Sequence, residues 1–395
     1  MNENFNFNTR LKRVCFILIA IGLASLIGGF IYYGENAVHR VWANLLLDSV
    51  FFMEIGMGAA FFLAAVYLAW GGWYTVFKRV VEAISQWMPF AAGILFIVLI
   101  LGNSHLYEWT HKEVVEHDEL LQHKSVYLNL PFFFIRFIFF VSALIICTIL
   151  LRRASLKEDT LPHGDTSMHK RSLVLASVFV PFFAVYILVT AWDWLMSLDP
   201  HWYSTMYGWY SFASFWVTSI SVITLFTIFL KKAGYLKEVN VNHFHNLGIM
   251  MFAFSIFWTY VTFCQFMLIW YANIPEETIY FQHRYGHYHF LFYGIFIMNF
   301  VLPFLLLMSR DAKRNLNRLA FVACIIIFGH FVDFYLMIMP ASLGPESSPP
   351  FGFLEIGLPC LYAGLLLYVV FTSLTKAKMV PSNHPYLQES LHNTL

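Results

Sequence analysis

The sequence predicts an all-α, polytopic membrane protein with ten transmembrane helices, and three observations carry that reading. Of 395 residues, 59% are apolar and only 12% are charged, against about 25% charged in an ordinary soluble domain. The apolar residues gather into ten runs, long enough to cross ~30 Å of hydrocarbon as helices. The short alternating strands that a membrane barrel requires are absent from the pattern.

Closing each run at the nearest charge or proline gives the segments in order. The first, 14–33, follows Arg10, Lys12 and Arg13. It is longer than the ~7–15 residue core of a signal peptide, and we expect it to stay as a first spanning helix. The second, 45–75, closes before Lys78, and the third, 88–107, closes at Glu108. The fourth, 129–151, opens at Asn129-Leu130-Pro131 and closes at Arg152-Arg153; the fifth, 172–197, opens after Lys170-Arg171. The sixth, 209–230, ends at Lys231-Lys232, and the seventh, 247–271, ends before Pro275. The eighth is 289–309, the ninth 318–339 with Pro340 after it, and the tenth 355–375.

Basic residues accumulate on the cytoplasmic side of a membrane. The termini and alternate loops 76–87, 152–171, 231–246 and 310–318 hold 19 of the 24 Lys and Arg residues. Both termini are therefore expected in the cytoplasm, which requires an even number of helices, as the ten runs provide. Loop 152–171 reads as a flexible connector. The outer loops 108–128, 198–208, 272–288 and 340–354 are rich in aromatic, His and acidic residues and read as solvated and able to dock a partner.

The net formal charge of +1 excludes a nucleic-acid binder. Cys15, Cys147, Cys264, Cys324 and Cys360 lie singly, with no CxxC and no Cys/His cluster, so no metal site and no iron–sulfur or covalent haem ligation is expected in this chain. Only His330 is well inside a segment, whereas a bis-His haem needs facing imidazoles at matched depth.

Charges in hydrocarbon cost ~2.5 kcal/mol or more each and need a partner or a wet cavity. The candidates are Asp48, Glu54, His105, Glu108, Arg136, Asp193, Gln265, His330, Asp333 and Glu355. All fall in the outer half or at the outer boundary of the predicted segments. Arg136 cannot shed its proton and is expected to pair with Asp193, Asp48 or Glu54. His330 and Asp333 are i and i+3 on one helix face and can share a proton. Singly, such residues serve as readily as interhelical ties. Gathered on one side, they point to a protonatable cavity open to the outer face, a proton pathway with Asp193, His330, Asp333, Glu54 and Asp48. His105, Gln265 and Glu355 are candidates to line that outer cavity. Ser211, Ser214, Thr218, Ser221, Thr224 and Thr227 form a hydroxyl stripe, read first as close helix packing and second as a wetted path. No ionisable residue is expected in the inner half.

A short internal repeat is also present. The fifth segment ends Asp193-Trp194, with Pro200 seven positions after the Asp, and the ninth ends Asp333-Phe334, with Pro340 at the same spacing. Two four-helix bundles follow, helices 2–5 (35–200) and 6–9 (201–340). Two peripheral helices flank them: helix 1 with the N-tail (1–34) and helix 10 with the C-tail (341–395).

The stretch Ala191-Trp192-Asp193-Trp194-Leu195-Met196-Ser197-Leu198-Asp199-Pro200-His201-Trp202-Tyr203-Ser204-Thr205-Met206-Tyr207-Gly208 resembles the helix-five signature of the F subunits (ActF) of bacterial alternative complex III, in the NrfD-like, polysulphide-reductase membrane-subunit family. The resemblance implies two antiparallel four-helix bundles in a bacterial inner (cytoplasmic) membrane. It implies a subunit of a quinol:cytochrome c or other electron-acceptor oxidoreductase, with menaquinone or ubiquinone as the quinone. The implied partners are a paralogous NrfD-like membrane subunit, an iron–sulfur subunit and c-type haem subunits, which carry the redox centres, together with lipid. Asp193, and by analogy His330 and Asp333, are the positions it carries over, and it would put a quinone pocket in the outer cavity at His105, Gln265 and Glu355. Two other readings stand beside it: a stand-alone proton- or ion-coupled transporter, and a purely structural membrane anchor. The first reading expects Asp193→Asn to leave assembly intact and lower turnover or proton release.

Overall fold

The computed structural model describes residues 4–34, 37–344 and 351–393; part of the predicted 340–354 loop lies outside the described residues. It is 82% helical, and ten helices are long and apolar enough to span a membrane. They are α1 Thr9–Tyr33, α2 Val38–Leu68, α3 Thr75–Leu106, α4 Leu130–Glu158, α5 Ser167–Leu198, α6 Met206–Lys232, α7 Val241–Ala272, α8 His289–Leu307, α9 Leu316–Leu343 and α10 Phe353–Leu374. No strand occurs among the described residues; one isolated bridge joins Asn4 to Lys378.

Side-chain caps start several helices. Asn8 accepts from Leu11 N ahead of α1, Asn129 from Phe132 N ahead of α4, and Asn315 from Asn317 N and Arg318 N ahead of α9. Each supplies an acceptor for an amide that has no partner inside its helix. Helices α2–α5 pack as one antiparallel group and α6–α9 as a second, while α1 lies along α10. The groups meet where α2 touches α6 and α9. This seam explains why α2, α6 and α9 are buried for most of their length while α1, α4, α5 and α8 turn apolar faces outward.

Close approach at the seam and at the α1–α10 pair depends on glycine. A Cβ on Gly58 of α2 would stand 2.1 Å from Ser219 Oγ of α6, and one on Gly22 of α1 would stand 2.3 Å from Leu361 Cβ of α10. Without a hydrophobic drive between helices in lipid, small residues at contacts are what let backbones pack.

Both termini lie on one face. Phe5 packs on Tyr235 and Phe371, and the C-terminal tail is tied to the α2–α3 turn by Ser390 Oγ donating to Trp73 O at 2.8 Å. This face, the terminal face, carries the basic loops; the other is the opposite face.

Several boundaries differ from the sequence reading, most of all in the second and third helices. The second helix is Val38–Leu68, not 45–75: it breaks at Trp70, whose φ is +54°, and at Gly71-Gly72. Glu54 consequently sits at the middle of the 31-residue α2 rather than in its outer half. The third helix begins at Thr75, well before residue 88, because Lys78, Arg79 and Glu82 are buried and paired, not solvated. Arg79 Nη1 donates to Glu82 Oε2 at 2.7 Å, and Arg79 Nη2 to Asp159 Oδ2 at 2.5 Å. The same pairing overturns the flexible connector at 152–171. α4 runs on to Glu158, and Asn383 of the tail donates to the carbonyls of Glu158, Leu161 and Pro162. It also overturns the expectation of no ionisable residue in that half, since Lys78, Arg79, Glu82, Arg152, Glu158 and His169 are all buried there.

Candidate functional site

Arg136 of α4 pairs with Asp193 of α5. Nε donates to Asp193 Oδ2 at 2.7 Å and Nη2 to Oδ1 at 2.9 Å, the two-pronged geometry a guanidinium makes with a carboxylate. Both groups are buried. The third nitrogen, Nη1, reaches Tyr127 O at 3.0 Å, and the guanidinium lies over the rings of Tyr127 and Phe132 at 3.9 and 4.3 Å. Asp193 stands in a π-helical turn, Ala191–Leu195. Such a wide turn re-aims side chains and is frequent at functional positions.

A cavity of about 320 Å³ opens beside this pair, lined by Tyr127, Trp192, Met196, Ser197, Trp202 and Tyr203. Its walls are almost wholly apolar, but Trp192 Nε1 and the Tyr127 hydroxyl have no hydrogen-bond partner among the described residues. Burial, and then the Asp193 carboxylate, hold the Tyr127 phenol above its ordinary range, so it remains a donor. Lys124 at the rim donates to Pro200 O at 2.5 Å, and burial lowers its ammonium below the ordinary value.

In the second bundle Asp333 of α9 is held differently. Tyr210 of α6 donates to Oδ1, while Ser214 Oγ and Trp258 Nε1 donate to Oδ2, each at 2.9 Å. His330 Nδ1 is 3.5 Å from Oδ2 and 2.9 Å from Ser214 Oγ. The Ser214 hydroxyl has one hydrogen and gives it to Asp333, so the His330 contact needs Nδ1–H as donor. This leaves the Nε2 lone pair of His330 free, and Nε2 has no partner among the described residues. His330 and Asp333 therefore meet on one face as expected. They lie ~20 and ~15 Å from the end of α9, deeper than the sequence implied because α9 runs on through Pro340 to Leu343.

The other predicted residues fall elsewhere. Glu54 Oε1 accepts from Tyr186 OH at 2.9 Å, and Oε2 has no partner. Asp48 is buried with neither carboxylate oxygen partnered among the described residues. Glu355 accepts from Arg40 Nη2 at 2.9 Å, Asn44 Nδ2 at 3.0 Å and Gly352 N at 2.8 Å. His105 is half-buried, and its ring stacks on Trp42. Gln265 borders a small void near Tyr210 and Arg284, and Glu108 is exposed. His105 and Glu355 thus both meet the first turns of α2, at His39 and Trp42 and at Arg40 and Asn44 respectively, while Gln265 borders the void near Arg284. No hydrogen bond or ion pair among the described residues joins the Asp193, Glu54, Asp333 and Glu355 sets. Along the α6 stripe, Thr218, Ser221, Thr224 and Thr227 each donate to the carbonyl four residues back, the packing arrangement rather than a hydroxyl-to-hydroxyl wire.

Sequence reasoning missed Tyr127, Tyr186, Tyr210, Trp258 and Arg284. The first four had a usable signal: a buried Tyr or Trp must find a partner for its polar tip, and a nearby buried acid is the natural one. Arg284 was read as a loop residue; it is buried, donates to Leu336 O and Met337 O at 2.8 and 3.3 Å, and lies 3.3 Å over the Tyr280 ring. No family model and no curated protein matches the chain. The geometry therefore stands by itself.

Proposed function

We infer that the chain is an integral membrane subunit of a quinol-oxidising respiratory complex, contributing proton-holding groups and a second quinone pocket. The observation that carries this reading is the cavity of about 320 Å³ lined by Tyr127, whose carbonyl and ring meet Arg136, and by Ser197, which donates to Asp193 O, a volume within the range of small-molecule sites. A quinol bound there would bring two electrons and two protons. Its aromatic head would meet Trp192 and Trp202, and the Tyr127 hydroxyl would donate to a ring oxygen. The chain supplies no thiolate cluster for the electrons, which pass to iron–sulfur and c-type haem subunits in this reading. Its residues hold protons: Asp333 with His330, and Glu54 with Tyr186, each an acid facing a neutral group that can hand a proton on. The terminal face, with its excess of Lys and Arg, would be cytoplasmic in a bacterial inner membrane.

The test is purification of the assembly from native membranes in mild detergent. Stoichiometric c-type haem and iron–sulfur subunits support the reading, and a colourless solitary chain overturns it. Within the assembly, Asp333→Asn is the better variant than Asp193→Asn, because removing Asp193 also strands Arg136 in the bilayer. Asp333→Asn is expected to preserve assembly and lower quinol turnover or proton release; unchanged values for both would remove the role. One feature favours the transporter as a second reading: π-helical turns break α5 at Asp193 and α8 at Ile297–Val301, beside the buried Asn299. Proton-coupled flux through the single chain in liposomes would establish it.

A further inference from the structure

On the terminal face three metal-ligating side chains from distant parts of the sequence converge. Glu158 ends α4, His169 is in the first turn of α5, and His384 is on the C-terminal tail. One ligand atom of each lies within 4.8 Å of the other two, and all three residues are more than nine-tenths buried. Yet Glu158 Oε1 and Oε2, both ring nitrogens of His169 and Nε2 of His384 have no hydrogen-bond partner among the described residues. Five buried lone-pair or N–H positions cost too much to leave empty-handed at one spot. His169 Nδ1 stands 3.9 Å from Glu158 Oε1, too long for a hydrogen bond. The spacing is that of donors arranged around a missing centre.

We propose that Glu158, His169 and His384 form a binding site for a divalent first-row metal ion, Zn²⁺ being the best match, which staples the C-terminal tail to the α4–α5 turn. Two imidazoles and a carboxylate are a common zinc donor set, with a water completing the tetrahedron. Ligand atoms around zinc at ~2.0–2.1 Å stand about 3.3 Å apart, so each of these three must move inward by at most about 0.8 Å. The surroundings supply the outer shell. His384 Nδ1 lies 3.4 Å from Thr75 Oγ1, whose own hydrogen is given to Gly72 O at 2.8 Å. Thr75 can therefore only accept there, and an Nδ1–H donated to it frees Nε2 for the metal, the usual way a second shell sets a ligand tautomer. The other tautomer accepts from Tyr386 N at 3.2 Å instead; metal binding selects between them. Lys78 is the competitor. Its Nζ stands 3.6 Å from Glu158 Oε2 without a hydrogen bond, so Oε2 faces the ammonium while Oε1 faces His169. The tail has other anchors, at Ser390 and Asn383, so the fold does not depend on the ion.

The experiment uses the full chain in detergent, purified without a polyhistidine tag, stripped with chelator and titrated with Co²⁺. Uptake of one equivalent, with the visible absorption of four-coordinate Co²⁺ and displacement by Zn²⁺, is expected. His169→Ala and His384→Ala should each weaken binding at least about 100-fold, and Thr75→Ala about 10- to 100-fold. Lys78→Met should tighten it at least about tenfold, since it removes from beside the carboxylate a cation of the same sign as the metal ion. The opposite signs separate loss of ligands from general damage to the fold. Two results would overturn the site. If the wild-type chain retains no Co²⁺, the three donors surround a water; if both His→Ala variants bind as well as wild type, the ion sits elsewhere.

Discussion

Asp193 and Asp333 begin the same short sequence pattern in the two bundles, yet the structure treats them in opposite ways. Asp193 receives two hydrogen bonds from Arg136, a cation that keeps its charge at any accessible pH. Asp333 receives three hydrogen bonds from neutral groups, Tyr210, Ser214 and Trp258, with the imidazole of His330 beside it. The second bundle has its own buried arginine, Arg284, but that residue is spent on the carbonyls of Leu336 and Met337, one turn along α9 from Asp333. One bundle thus answers its acid with a cation, and the other surrounds its acid with neutral donors and places an imidazole 3.5 Å away. A fixed ion pair shapes a field and a binding wall; an acid beside histidine can exchange a proton. The same sequence repeat therefore carries two different electrostatic roles.

The largest effect that can break this contrast is expected at Arg136. Arg136→Ala leaves Asp193 buried without its counter-charge, a loss that costs about 3–5 kcal/mol when one partner of a buried pair is removed. Arg136→Met with Asp193→Leu removes both charges and should recover most of that loss. Thermal unfolding of the detergent-solubilised chain reads both. An equal loss in the double variant would show that packing, not the ion pair, holds α4 to α5.

A smaller effect is expected in the Asp333 cage. Tyr210→Phe deletes one of three donors and keeps the ring, so stability should fall by about 1–2 kcal/mol. The cost is lower than at Arg136 because Ser214 and Trp258 still serve the other oxygen. In the proposed quinol-oxidising complex the same variant should lower proton release more than it lowers yield, since it removes a donor from the carboxylate beside His330. A loss above that of Arg136→Ala would reverse the ranking of the two sites. Between the bundles, Gly58→Ala drives a methyl into Ser219 and should cost about 1–3 kcal/mol by overpacking the α2–α6 seam, with unfolding midpoint again the readout.

The ten helices were legible because hydropathy over a spanning length is imposed by the bilayer itself. The partner of Arg136 was narrowed to three acids by the same physics, since a permanent charge in hydrocarbon must be answered. Helix ends were less legible wherever charges are buried. Closing segments at charge clusters fails at Lys78, Arg79 and Glu82, because these answer one another and Asp159 across the α3–α4 contact, which a linear reading cannot see. The metal-ligand set was invisible for a related reason. Glu158, His169 and His384 share no sequence spacing, and only the fold of the tail back onto the α2–α3 turn brings them together. Which neighbours His105, Gln265 and Glu355 meet was not legible, because depth along a helix says nothing about which face of the bundle a residue occupies.

The smallest expected effect is on the opposite face, where Asp118 links the short helices of the 108–128 loop to the Asp193-bearing end of the chain. Its carboxylate accepts from Leu120 N and Leu121 N at 2.9 and 3.1 Å and from His201 Nε2 at 2.5 Å. The Leu121 amide first, and then His201, hold it below the usual carboxylate range. A group whose pKa is lower folded than unfolded stabilises its contacts above the unfolded value and loses that contribution as pH falls through the folded value. The loop should therefore stay docked down to about pH 4, the ordinary aspartate range, and loosen only below it. Hydrogen exchange at the Leu120 and Leu121 amides, followed across acid pH, measures this directly. Release that begins well above that range instead would mean that the Asp118 carboxylate with its amide donors does not hold the loop.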